Sequence, residues 1–348
     1  MQAIAVTATE QFTDVTLEVP TCGPDDVLVK VAFCGICGSD VPRYFDGAVH
    51  NFPQVLGHEF SGTVSAVGDA VTHVSPGDRV AVAPLVPCHD CAHCRAGRPS
   101  LCPRYSFIGS RQQGALAEYV LAPGVNVVPV GDLPLKTAAL IEPMTVALHG
   151  LDLVPFEPGT PAVVLGGGVI GLMSVIALSA RGAGDITVVD VNPWVLEMCR
   201  RFGADHTIDG STQDVASEVA RIGAPSIAIE TAGAPATVAQ SLQVLTKGGR
   251  AVYVGTPSAS VTFERKQWEL VLRKELGLFG SWMSYSAPFP GREWSEAPRL
   301  LTEAREDPQT IVTHEFALAD VASGFRVMRG SGENRLKVMF KVDDEVRS

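Results

Sequence analysis

The sequence has no long apolar run: no window of its 348 residues reaches the roughly 18 uninterrupted apolar residues that a membrane-spanning helix needs. It also lacks a basic excess, since 27 Lys and Arg face 38 Asp and Glu for a net charge of −11. That balance argues against nucleic acid or an anionic membrane as the main partner, and an anionic substrate would need a local basic pocket. The opening stretch Met1-Gln2-Ala3-Ile4-Ala5-Val6-Thr7-Ala8-Thr9-Glu10 has no basic segment followed by an apolar one. It does not read as a secretory leader, so a cytoplasmic protein is expected. Internal repeats and low-complexity segments are absent as well.

What is present is ample apolar material, 46% hydrophobic against 19% charged, and a length that favours two domains over a single core. There are eight cysteines. In a reducing compartment, clustered cysteines read as metal ligands rather than disulfides.

Residues 1 to about 150 alternate short β-rich runs with Gly and Pro, as in Val27–Ala32, Gly62–Val67 and Asp78–Val82, with a turn at Ser75-Pro76-Gly77-Asp78. A compact, mainly β domain is expected. Within it, Cys88, Cys91, Cys94 and Cys102 follow as Cys-x2-Cys-x2-Cys-x7-Cys in a polar loop. Four thiolates at this spacing can close a tetrahedron around zinc and leave no position for a substrate, which defines a structural site; an iron–sulfur cluster is the rival. His89 and His93 lie inside the motif but are not needed as ligands.

From about residue 155 the pattern changes to apolar strands alternating with helices. The strands are Ala162–Leu165, Ile186–Asp190, Ser226–Glu230 and Ala251–Val254, which predicts a doubly wound parallel sheet of the Rossmann type. Gly166, Gly168 and Gly171 follow the first strand and open a helix with Val169 and Ile170 in its first turn. Such a turn lets a pyrophosphate approach the helix N-terminus, where free amides and the helix dipole favour negative charge. Asp190 ends the next strand, 22 residues after Gly168, where a carboxylate accepts hydrogen bonds from an adenosine ribose and repels a 2′-phosphate. Val191, Asn192 and Pro193 supply no cation, so NAD is expected over NADP. Asn192-Pro193 is itself a helix start.

The chemistry concentrates between Gly35 and Glu59. Cys37, His58 and Glu59 bring a thiolate, an imidazole and a carboxylate within 23 residues, all zinc ligand types. Glu142-Pro143 lies much further on, and a site assembled from distant segments is how a catalytic zinc is held. Taken singly, Cys37 reads as a small buried hydrophobe and His58 as a core histidine. Flanked by Gly35, Gly38 and Gly57, they read better together.

These motifs resemble those of the zinc-containing medium-chain alcohol and polyol dehydrogenases. They stand here as Gly35-Ile36-Cys37-Gly38-Ser39-Asp40, Gly57-His58-Glu59, the four-cysteine lobe and the glycine turn, and the likeness spans nearly the whole chain. The resemblance implies a GroES-like, mainly β catalytic domain over 1–154 carrying the structural zinc lobe 88–102, an NAD-binding Rossmann domain over 155–285, and a return of 286–348 to the catalytic domain. It implies two zinc ions per chain. Cys37 and His58 would hold the catalytic one, with Glu59 a direct or exchanging ligand and Glu142 where classical members carry a second cysteine. Ser39 would pass on the hydroxyl proton, and Asp40 would orient His58.

A carboxylate at 142 resembles the polyol branch. Cys37–Arg43 with His50 close behind, Phe107–Arg111, and Leu272–Leu276 running on through Gly280–Met283 and Tyr285–Trp294 are similar to enzymes acting on a polyol phosphate of the galactitol 1-phosphate kind. Gln112 departs from that branch, which has a second basic residue there. Arg43, His50 and Arg111 become candidate contacts for substrate hydroxyls or phosphate.

The expectation is therefore NAD-linked oxidation of a secondary hydroxyl to a keto sugar, in galactitol metabolism, by a homodimer or homotetramer. Competing readings are a dehydrogenase of an unphosphorylated sugar alcohol, an aminocyclitol or L-threonine, and, from another class, a non-catalytic zinc- and NAD-binding protein.

Overall fold

The computed structural model describes residues 1–330, 332 and 334–343. By internal contacts the chain forms two units. The first comprises Met1–Glu142, Tyr285–Pro298 and the described residues from Pro308 onward, and the second Pro143–Ser284 with Arg299–Asp307.

The first unit is mainly β. Its largest sheet has seven strands, with Val127–Pro129, Arg79–Val82, Glu59–Val67, Asp26–Gly35, Lys337–Lys341 and Val312–Ala317 side by side in that order. Tyr119–Pro123 is the seventh strand and pairs with residues 26–30 of Asp26–Gly35. Residues 33–35 of the same strand pair with Lys337–Lys341. The strand Asp26–Gly35 is buried along nearly its whole length, as expected of a run rich in Val with both faces covered. A three-stranded sheet of Gln11–Thr16, Gln2–Ala8 and Gln54–Val55 lies in the same unit. Phe12 stacks on Tyr44 at 4.2 Å, and Phe325 lies parallel to Phe340, so the C-terminal helix and strand share a core with the N-terminal segments.

The four-cysteine lobe is braced from far along the chain. The amide of Leu85 donates to Tyr285 Oη at 3.1 Å, and Ser100 Oγ donates to the Tyr285 carbonyl at 3.3 Å. Tyr285 lies parallel to Phe289 and Trp294, and Phe289 meets the ring of His89 edge-on. The Pro- and Trp-rich stretch after residue 285 is thus a support for that lobe.

The second unit holds a six-stranded parallel sheet in the order His206–Asp209, Ile186–Asp190, Ala162–Leu165, Ile227–Glu230, Arg250–Tyr253, Gly277–Gly280. Numbered along the chain this is 3-2-1-4-5-6, the doubly wound dinucleotide-binding order. All four residues of Ala162–Leu165 are buried, because helices cover both faces of such a sheet. Helix Pro193–Phe202 starts as its residues dictate: the Asn192 side chain accepts from the Trp194 amide at 2.9 Å, and Pro193 occupies the first turn. Lys274 caps a neighbouring helix, donating from Nζ to the carbonyls of Leu242, Gln243 and Leu245.

The glycine turn after Ala162–Leu165 separates two requirements. Gly166 has φ of +100°, and a Cβ on Gly171 would fall 1.8 Å from the Gly166 carbonyl oxygen, whereas a Cβ on Gly168 would meet nothing within 4 Å. Gly171→Ala is therefore expected to cost about 3 kcal/mol or more of stability through overpacking, and Gly168→Ala no more than about 1 kcal/mol as an N-cap change. Urea denaturation of the two variants checks the difference; equal losses would refute it.

Candidate active site

The site in the first unit follows from strand register. Gly35 pairs with Glu59 on one side and with Met339 on the other. Beyond Gly35 the chain turns, and the Cys37 amide donates to Asp40 Oδ2 at 3.2 Å. His58 and Glu59 follow Gly57, whose φ is +97° and whose absent Cβ would lie 2.6 Å from Cys34 Sγ. A bulkier residue there would displace the pair. One donor atom each from Cys37, His58 and Glu59 lies within 4.8 Å of the other two, and His58 and Glu59 are buried.

Asp40, also buried, places Oδ1 3.5 Å from His58 Nδ1. This is longer than a hydrogen bond, and Nδ1 has no such bond in the structure. The same oxygen accepts from Arg43 Nη1 at 2.7 Å. Burial works to raise the Asp40 pKa, but His58 and Arg43 outweigh it and hold the carboxyl at about 2. Burial likewise works against a charged His58, and Asp40 and then Cys37 overcome it, raising the ring well above its usual value. Glu142, in the first turn of helix Ile141–Asp152, is half-buried and stands outside the three-residue cluster. Burial pushes its carboxyl up to about 7; His58 pulls it down, while Glu59 and Asp40 push it further up.

The donor chemistry fits a cation. Acidic donors crowd a buried space, and without a metal the balance falls to a proton on His58. A divalent ion would take over that role and release protons as it binds, with thiolate, imidazole and carboxylate as suitable zinc ligands.

Lys337 gave no sequence signal, because it heads an apolar run and reads as a solvated strand end. Its Nζ lies 2.6 Å from Glu59 Oε2 and 3.1 Å from the Ile36 carbonyl oxygen. In the structure the strand is buried from its first position, over Lys337–Phe340.

The basic candidates have different surroundings. Arg43 is engaged by Asp40 and by Ser39 Oγ at 3.1 Å. Arg111 is exposed, with its guanidinium 4.3 Å above the Tyr105 ring. His50 is exposed in the bend before the strand Gln54–Val55.

In the lobe, one sulfur from each of Cys88, Cys91, Cys94 and Cys102 lies within 4.8 Å of the others. Cys88 and Cys102 Sγ are 3.4 Å apart, near the edge of about 3.8 Å that metal–sulfur bonds of ~2.3 Å give a tetrahedron. That spacing suits one ion better than a multi-iron cluster. The Cys94 amide donates to Cys91 Sγ at 3.4 Å, and Arg104 Nη2 donates to Cys88 Sγ at 3.4 Å. The Cys94 amide is the main cause that lowers Cys91 to about 7, while burial raises Cys94 to about 12. Among the described residues, neither His89 nor His93 joins the cluster.

In the second unit Gly168 is exposed and caps helix Val169–Ala180, with Val169 and Ile170 half-buried in its first turn. Asp190 Oδ2 accepts from the Gly167 amide at 2.7 Å and Oδ1 from the Asn192 amide at 2.9 Å. The carboxylate fastens the glycine turn to the next strand, and each oxygen keeps acceptor capacity.

Residues 23–132 match the family model "Alcohol dehydrogenase GroES-like domain" and residues 169–303 match "Zinc-binding dehydrogenase". The chain belongs to the zinc-type alcohol dehydrogenases. It is 38% identical over 306 residues to galactitol 1-phosphate 5-dehydrogenase of Escherichia coli K12, covering 87% of this chain and 88% of that one. The crystal structure of galactitol-1-phosphate dehydrogenase from Escherichia coli superimposes with a TM-score of 0.93 at 34% identity, over 98% of this chain and 100% of that chain. Sorbitol dehydrogenase of Bacillus subtilis 168 is 39% identical over 97% of this chain and 96% of its own. A zinc-binding dehydrogenase from Sinorhizobium meliloti 1021, solved with NADP, aligns with a TM-score of 0.88 at 30% identity, over 98% of this chain and 99% of that one. This zinc-type dehydrogenase is thus an oxidoreductase with the GroES-like and Rossmann-like parts of its family. No helix among its described residues is long and apolar enough to cross a membrane.

If the four-cysteine lobe and the Cys37–His58–Glu59 cluster each hold a zinc ion, Cys102→Ser and Cys37→Ser are each expected to remove one of them. The former should also lower the melting temperature by several degrees, because Cys102 is a buried anchor of the braced lobe, where losing a structural metal costs folding energy. Metal analysis alongside thermal melts would contradict this if either variant kept both ions.

Proposed function

We propose that the chain oxidises a secondary hydroxyl of a polyol phosphate, of the galactitol 1-phosphate kind, to the keto sugar, with NAD reduced to NADH and one proton released. The observation that carries the reading is Glu142, a carboxyl under the electrostatic influence of His58, Glu59, Lys337 and Asp40 at a position where classical alcohol dehydrogenases have a thiolate. The 38% identity to galactitol 1-phosphate 5-dehydrogenase supports the substrate class.

When bound, zinc supplies the Lewis acidity that makes a hydroxyl acidic near neutral pH, and NAD supplies the hydride acceptor. Cys37, His58 and Glu59 would hold the catalytic ion, with Glu142 as a further carboxylate, and the four lobe cysteines the structural one. Ser39 would relay the hydroxyl proton: its Oγ accepts from Arg43, keeps a second lone pair for the incoming proton, and gives up its own proton to solvent, to which it is exposed. Asp40 faces the imidazole of His58 and limits its rotation. Gly166, Gly168 and Gly171 with the amides of Val169 and Ile170 would receive the pyrophosphate, and Asp190 the ribose. Residues 1–154 and 286–348 would serve as the catalytic part and 155–285 as the NAD-binding part, in a cytoplasmic homodimer or homotetramer.

A second reading, an unphosphorylated sugar alcohol, is favoured by the basic residues themselves. Arg43 is occupied by Asp40 and Ser39, Arg111 lies on Tyr105, and the 39% identical relative is a sorbitol dehydrogenase.

Initial rates of NADH formation with galactitol 1-phosphate, galactitol, sorbitol, xylitol and L-threonine separate the two. The phosphate is expected to lead in kcat/KM, with Arg111→Ala lowering it about 10–100-fold for loss of a charge-assisted contact. Equal use of free galactitol or sorbitol would favour the second reading. Asp190→Ser is expected to narrow the preference for NAD over NADP and, through the lost Gly167 and Asn192 contacts, to lower stability by about 1–2 kcal/mol. Unchanged NAD and NADP affinities by titration would remove Asp190 from cofactor recognition.

A further inference from the structure

Lys337 and Glu59 are both almost completely buried, with 4% and 2% of their side chains exposed, and their charged atoms are 2.6 Å apart. Burying such a pair is expensive, and packed hydrophobic residues often serve stability as well or better. Three segments are nevertheless built around it. Strand Lys337–Lys341 brings the ammonium beside Gly35, whose other neighbour is Glu59. Gly35 leaves the room, since a Cβ there would lie 2.5 Å from Glu59 Oε2 and 3.2 Å from Lys337 Cδ. The carbonyl of Ile36, one residue before Cys37, also accepts from the ammonium, at 3.1 Å.

The charges decide what the ammonium does. Asp40 is already balanced by Arg43 at 2.7 Å. Glu59 is left to Lys337, whose ammonium lies 2.6 Å from its Oε2. Without Lys337 the donor set would carry an extra negative charge. It would grip the ion harder and lower the ion's electrophilicity.

We propose that Lys337 is a positioning residue that holds one oxygen of Glu59 away from the metal, keeps that carboxylate an exchangeable ligand and sets the metal affinity of the Cys37–His58–Glu59 cluster below its maximum. This rests on the metal-binding part of the proposed function and is independent of which alcohol is oxidised.

The test is zinc affinity, measured on the full chain by competition with a chromophoric chelator. The binding step that disappears in Cys37→Ala identifies this cluster. Lys337→Met is expected to bind zinc there about 10–100-fold more tightly, the usual size of effects from groups behind metal ligands, and to show a lower kcat. Lys337→Arg, which keeps the charge, should stay close to the unsubstituted protein. In the cobalt-substituted protein, the visible band of Lys337→Met should shift with the changed coordination, whereas that of Lys337→Arg should not. If Lys337→Met does not fold by circular dichroism, Lys337→Gln carries the same expectation. Unchanged or weaker zinc binding in a folded, uncharged variant would overturn the proposal, as would an Arg variant that behaves like Met. Failure of the substrate reading would instead appear as absent turnover with the affinity pattern intact.

Discussion

The register of a single strand governs the candidate active site. Asp26–Gly35 pairs with Glu59–Val67 along one edge and shares its other edge between Tyr119–Pro123 and Lys337–Lys341. Because side chains alternate across a strand, a slip of one residue would turn Glu59 to the opposite face and separate it from Lys337 and Cys37. The buried valines of Asp26–Gly35 oppose such a slip, since it would unpack them and force them into the space fitted to Leu28, Ala32 and Cys34 on the other buried face. Hydrophobic burial therefore fixes where the carboxylate lies, and the metal chemistry inherits its geometry from the core.

Charge is the second organising principle, and it follows from the first. A fold that buries Asp40 and Glu59 close together demands cations, and it supplies two of different kinds. Arg43 reaches Asp40 within one short helix, whereas Lys337 comes from nearly three hundred residues away. The local pair orders the loop that carries Ser39, and the distant pair acts on a metal-ligand candidate itself. The pyrophosphate-type turn uses a similar economy, with the Asp190 carboxylate tying Gly167 to Asn192.

Much of this was legible in the sequence because its determinants are local. The Cys88–Cys102 spacing, the glycine turn and Asn192-Pro193 are short patterns whose geometry is set by neighbouring residues, and the structure gathers the four sulfurs and starts the helix as the spacing implied. Cys37, His58 and Glu59 were linked by ligand type and lie together. What stayed hidden depends on pairings across long separations. Nothing near Lys337 in sequence announces an acidic partner at residue 59, and the support of the lobe by Tyr285 joins residues 200 positions apart. Arg43 and Arg111 were read as available cations, but each is engaged by a neighbour, Asp40 and Tyr105. A sequence shows the presence of a charge more readily than its occupancy.

The position of Lys337 also has a consequence for biosynthesis. The chain emerges from the ribosome N-terminus first, so Cys37, His58 and Glu59 exist long before the ammonium that neutralises Glu59. The Tyr285 brace of the lobe likewise arrives late. Until the C-terminal strand docks, the nascent β unit has a carboxylate at its centre without its counter-ion, which disfavours premature closure around it. A chain released short of residue 337 would retain every cysteine and histidine of both candidate metal sites, yet lack the charge that lets the buried centre close.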